Sequence, residues 1–170
     1  MAVAVPVLVV VLVLANVLGG SDTDDDDAVA DVSGGTSPQR AEDLPPLPVE
    51  VPAPTPEADA TCPQLMQVLP LDLLGDPARL VDSDTPYAAA WGDPAVVLVC
   101  GVPQPEGLVP GEGLFTINGV TWYVDQTDPE ATVWTAVDRA VYVEVSLPPD
   151  VDSAPVTALS DVLAAALPAR

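Results

Sequence analysis

Apolar and acidic residues are sorted along this chain rather than mixed. From Ala2 to Leu18 every residue is apolar or small except Asn16, and Val7 to Leu14 is wholly valine and leucine. Residues 21–60 then carry eleven acidic side chains, seven prolines and one arginine, Arg40, with few large apolar residues beyond Leu44 and Leu47. Such a segment cannot bury enough apolar surface to offset the entropy of ordering it. A packed core therefore has to come from residues 61–170, and the chain divides into an apolar N-terminus (1–20), an acidic proline-rich linker (21–60) and a folded body (61–170).

At 1.5 Å per residue, the roughly 18 residues before Ser21 span about 27 Å, close to the hydrocarbon thickness of a bilayer of about 30 Å. We expect a single membrane-spanning anchor; a cleaved signal peptide is the alternative. No Ala-x-Ala site directly follows the apolar run. With no lysine or arginine before the span, orientation cannot be read from flanking charge. The short N-terminal flank and the cysteines of the body place the body on the extracytoplasmic side. In the linker, Asp24 to Asp27 lacks the glycine and distant glutamate of a calcium loop and reads as a solvated spacer. From Pro45 to Pro56 the proline alternation favours polyproline II, at about 3.1 Å per residue a stiff stalk.

The charge balance excludes several chemistries. The net charge is −22, with no histidine and no lysine. A chain this acidic repels phosphate backbones, so nucleic acid is not an expected partner. Histidine-based triads and zinc sites, Schiff bases and phosphate-loop lysines are all unavailable, and no cofactor or metal is expected.

Within the body, Thr61-Cys62-Pro63-Gln64 has the form of a capping box with proline in the first turn, predicting a short helix to about Leu69. Ala95 to Cys100 is continuously apolar and β-branched, as in a strand buried on both faces. Asn118-Gly119 between Phe115-Thr116-Ile117 and Val120-Thr121-Trp122-Tyr123 is a strong hairpin signal. A second hairpin is expected around Asp138-Arg139, joining Ala131–Val137 to Ala140–Leu147. On the latter strand Val141, Val143, Val145 and Leu147 point one way, and Tyr142, Glu144 and Ser146 the other. Val156 to Leu167 carries Leu159, Val162, Leu163 and Ala166 on one helical face. The expected class is α+β: an antiparallel meander of about four or five strands with two hairpins, a short N-terminal helix and a C-terminal amphipathic helix.

Cys62 and Cys100 lie 38 positions apart, without Cys-x-x-Cys spacing, and are expected to form one structural disulfide. Carboxylates could in principle perform acid–base chemistry without histidine, and Asp82, Asp84, Asp93, Asp138 and Glu144 are the candidates. Most sit in turn or cap contexts. Only Glu144 is mid-strand, with Arg139 as the available cation for it or for Asp138. No catalytic set is recognisable. A ligand surface, if the sheet offers one, would draw on Trp91, Asp93, Trp122, Trp134, Arg139, Tyr142 and Glu144.

The blocks Trp91-Gly92-Asp93-Pro94-Ala95-Val96-Val97-Leu98, Cys100-Gly101-Val102-Pro103-Gln104-Pro105, Asn118-Gly119-Val120-Thr121-Trp122 and Arg139-Ala140-Val141-Tyr142-Val143-Glu144-Val145, with the closing Leu159-Ser160 helix, resemble the actinobacterial domain-of-unknown-function family 3515 over about residues 62–167. The resemblance implies a small extracytoplasmic domain behind an N-terminal membrane segment, and no activity. The family pattern carries an arginine before the second cysteine where this chain has Val99, so no role resting on that arginine transfers. The reading is a membrane-anchored, non-enzymatic module that contacts an envelope protein or wall component. A carboxylate-dependent hydrolase or sugar-binding protein is the alternative.

Overall fold

The computed structural model describes residues 43–109 and 111–170. The expected anchor at residues 1–20 and most of the expected linker lie outside these residues. Among the described residues no helix is long and apolar enough to cross a membrane.

The local signals of the C-terminal half form as expected. Strands β7 (Leu114–Ile117) and β8 (Val120–Asp125) are joined by Asn118 and Gly119, whose φ angles of 47° and 77° are the pair of positive values a two-residue hairpin turn demands. Strand β8 pairs with β9 (Thr132–Ala136), and β9 with β10 (Tyr142–Leu147) through the second expected hairpin. Strand β10 then pairs with β6 (Val96–Val102), which in turn pairs with β5 (Ala88–Trp91).

The sheet is larger than four or five strands and is not a simple meander. It has eight antiparallel strands in the order β2-β3-β5-β6-β10-β9-β8-β7, where β2 is Asp72–Leu73 and β3 is Asp76–Arg79. The chain leaves β6 in mid-sheet, crosses to the far edge at β7, and returns strand by strand to β6. The strands of this sheet absent from the sequence reading are β2, β3 and β5. They are two to four residues long and contain Asp, Ala and Pro, residues with little preference for extended structure, so their pairing is imposed by neighbours.

Helix α1 runs from Pro56 to Met66, capped by Thr55, whose hydroxyl accepts from the Ala58 amide at 3.2 Å. This corrects the expected start at Thr61. The Thr55-Pro56 pair supplies the same cap-then-proline signal six residues earlier, and Pro63 lies inside the helix. Ahead of it, β1 (Leu47–Pro48) pairs in parallel with β4 (Val81–Asp82). Helix α2 (Ala154–Ala166) forms where Val156 to Leu167 was expected, starting two residues and ending one residue earlier.

Both helices cover one face of the sheet. Leu65, Val156, Leu159 and Leu163 pack with Leu98, Trp122, Val143 and Val145 in a single core. The Trp122 indole donates to the Ser160 hydroxyl at 3.0 Å, and that hydroxyl donates to the Val156 carbonyl at 2.7 Å, so these two buried side chains are satisfied. The expected disulfide joins Cys62 of α1 to Cys100 of β6, with Cα atoms 5.8 Å apart and both residues buried in this core. Strand β6 was expected to be buried on both faces. Val96, Leu98 and Cys100 are in the core, whereas Val97 and Val99 lie on the other face, Val99 buried and Val97 half-buried.

Candidate functional site

The helix-free face of the sheet follows from register. Tyr123, Thr135, Glu144, Val99 and Ala88 are successive cross-strand partners, and Asp125, Val133, Ser146, Val97 and Ala90 form the next row. Alternation along each strand puts these residues opposite the core positions Trp122, Ala136, Val143 and Leu98.

Residues 47–52 run beside this face as a strap. Proline alternates with residues that keep an amide hydrogen: Leu47 donates to the Leu80 carbonyl at 2.8 Å and Val49 to the Asp82 carbonyl at 3.0 Å, while Pro48 needs no partner. Arg79 secures the same region from the sheet. Its guanidinium donates to the Pro45 carbonyl at 3.2 Å and the Gly92 carbonyl at 3.3 Å.

The strap and the sheet enclose two grooves. One, of about 600 Å³, is lined by Pro48, Glu50, Val97, Glu130, Glu144 and Pro148 among others. The second, of about 450 Å³, is lined by Pro52, Gln104, Glu106, Tyr123, Asp125 and Thr135 among others. Glu50, Val99 and Glu144 line both, so the grooves adjoin as one trough.

The carboxylates of the trough differ in environment. Burial pushes Glu144 above its ordinary value of 4.5, partly opposed by a hydrogen bond from Ser146. Asp125 is held below its ordinary value by the Thr127 amide, 2.9 Å away, and by the Thr127 hydroxyl. Among the described residues, no group of three or more acidic or cysteine side chains is placed to hold a metal ion.

The residues singled out from sequence are divided between two faces. Trp91 is buried, its indole donating to the Pro70 carbonyl at 2.8 Å. Trp122 is fully buried, and Trp134 packs edge-on to it at 6.4 Å, with Phe115 6.1 Å from Trp134 on the same side. The tryptophans therefore face away from the trough, and no aromatic platform forms there. Asp93 is exposed on the turn before β6, 3.6 Å from Arg79. Arg139 is only 2% exposed; it donates to the Gly119 carbonyl at 2.5 Å, lies 3.6 Å from Asp138, and does not pair with Glu144. Tyr142 donates to Gln104 at 3.2 Å, and the Arg170 guanidinium sits 5.3 Å from its ring centre. Glu144 and, through Gln104, Tyr142 reach the trough. Tyr123, Asp125 and Thr135 were not singled out, although the alternation of β8 around Trp122 already places Tyr123 and Asp125 on the opposite face.

The arrangement defines a disulfide-stapled α+β domain, its antiparallel sheet covered by helices on one face and flanked by a proline-rich strap on the other. The chain belongs to the family described as "Protein of unknown function (DUF3515)", which it matches over residues 1–170. No curated protein and no solved structure matches it significantly.

Proposed function

We propose that this protein is a non-enzymatic binding or assembly module of the cell envelope, anchored in the membrane through residues 1–20, with the folded domain on the extracytoplasmic side. The observation that carries the reading is the disulfide. Cys62 and Cys100 are joined in the core and both are buried, an arrangement suited to an oxidising compartment. The apolar N-terminus and acidic segment that precede the domain supply an anchor and a spacer. The trough is the contact face of the module, where an envelope protein or wall component binds.

The hydrolase reading draws no support from this arrangement. It needs Glu144 or Asp93 in a cleft lined by Trp122 or Trp134. Those indoles are on the core face, and Asp93 sits on a turn beside Arg79.

The test is fractionation of cells producing the full chain, with thiol alkylation before and after reduction. Recovery with the membranes, and two thiols that alkylate only after reduction and unfolding, is the expected result. A cytosolic protein with two freely alkylated thiols would overturn the proposal.

A further inference from the structure

The trough has a marked charge pattern. Glu50, Glu106, Asp125, Glu130 and Glu144 line it, and no arginine does. The three arginines among the described residues are engaged elsewhere: Arg79 on the Pro45 and Gly92 carbonyls, Arg139 on that of Gly119, and Arg170 on that of Val137. Glu144 is the informative member. It stands in mid-sheet between Val99 and Thr135, half-buried and, among the described residues, without a cationic partner. A carboxylate desolvated in this way costs stability unless a cation reaches it.

The remainder of the lining is apolar. Val97, Val99 and Val133 contribute to the floor, and Pro48, Pro52 and Pro103 to the walls. A lone metal ion or small amine would answer the charge but leave this surface uncovered. An acidic ligand would be repelled, and a flat apolar surface would leave Glu144 unpaired. One lysine or arginine side chain flanked by apolar residues, on an extended stretch of polypeptide, meets both requirements. Its aliphatic stem lies on the valines while its head reaches Glu144. The two adjoining grooves, of about 600 and 450 Å³, also have room for a segment rather than a single group.

We infer that the trough between the strap and strands β6, β10, β9 and β8 binds an extended, basic segment of a partner polypeptide, with Glu144 as the residue that receives its cationic side chain. The inference rests on the binding-module reading and assigns the chemistry of the partner.

The experiment is titration of the isotopically labelled full chain, in detergent micelles, with the acetylated and amidated peptide Val-Pro-Arg-Val-Pro, read by backbone amide shifts. Saturable shifts centred on Val99, Thr135 and Glu144 are expected. Glu144→Gln weakens binding roughly tenfold, the usual worth of a hydrogen bond to a charged group. Glu50→Gln, on an exposed strap residue, weakens it by a smaller factor and keeps the test available should Glu144→Gln misfold. Glu112→Gln, outside the trough, changes nothing. The inference is overturned if no saturable shifts occur, if the peptide with glutamate in place of arginine binds equally well, or if the shifts map to the exposed Leu71, Leu74 and Leu80 edge. Membrane-bound, oxidised protein that ignores the peptide would sink the basic-segment inference alone. A cytosolic, reduced protein that binds it would sink the envelope reading alone.

Discussion

A Cβ atom placed on Gly101 would come within 2.8 Å of the Cβ of Ala58, so helix α1 lies directly against the backbone of β6. Gly101 also has φ of +87°, which disfavours any side chain there. Contact and conformation thus select glycine at the position next to Cys100. Gly101→Ala should destabilise the domain by about 2–4 kcal/mol, combining backbone strain with overpacking. In an Ala58→Gly background the penalty should shrink, since only the backbone contribution remains. Urea unfolding followed by tryptophan fluorescence gives both values; equal penalties in the two backgrounds would refute the close contact.

The disulfide closes the same junction. For a separation of 38 residues the chain-entropy model assigns it about 4 kcal/mol. The double variant Cys62→Ala, Cys100→Ala should lose stability of that order in denaturant titration. Because both sulfurs are in the core, native protein treated with a reductant should be alkylated only as fast as it opens globally. Rapid alkylation under native conditions would contradict the burial.

The features readable from sequence are those decided by neighbours in the chain. Asn118-Gly119 dictates its own turn, Val143 and Val145 alternate with Glu144, and Leu159 and Leu163 mark one face of a helix whatever surrounds them. Pairing of β6 with β10 was not readable, because it joins Val99 to Glu144 across 45 positions and depends on the intervening chain returning from the far edge. The strand Ala88–Trp91 is extended only because β3 and β6 flank it. The proline stretch was read as a stalk from its prolines, yet Leu47 and Val49 between them retain the amides that attach it to β4. As for the trough, Glu144 was visible as a mid-strand carboxylate. Its companions Glu50 and Asp125 come from segments 94 and 19 positions away, brought there by the fold.

The true start of α1 has a direct assay. The Thr55 hydroxyl accepts from the Ala58 amide, whereas Thr61 is an interior helical residue. Thr55→Ala should therefore cost about 1 kcal/mol. Thr61→Ala should be neutral or slightly stabilising, since alanine is the better helix former. The reverse ranking in paired denaturant titrations would return the cap to Thr61.

Arg79 provides a test of the strap. Its side chain is only 7% exposed and holds carbonyls of both Pro45 and Gly92. Arg79→Met keeps the aliphatic stem and removes those donors, for a loss of roughly 1–3 kcal/mol. Hydrogen exchange should then accelerate at the Leu47 and Val49 amides more than at Leu98 or Val143 in mid-sheet. Uniform acceleration would mean that Arg79 supports the whole domain rather than the strap.

Glu144 makes stability depend on pH in a direction opposite to that of a paired carboxylate. Burial disfavours its charged form, so the native state keeps the proton to a higher pH than the unfolded chain, where the group titrates near 4.5. Between that value and the raised native value the native state binds more protons. The contribution of Glu144 to stability therefore falls as pH rises through this window and remains a penalty above it. Glu144→Gln removes the titration at nearly constant shape. At pH 7 the variant should melt above the parent, and the gap should close as the pH falls below about 4.5, where both forms of the parent carry the proton. Thermal melts of the two proteins at matched ionic strength, from acid to neutral pH, measure the gap directly. A parent more stable than Glu144→Gln at pH 7 would mean that an existing interaction already compensates the carboxylate, leaving the trough without a vacant charge to offer a partner.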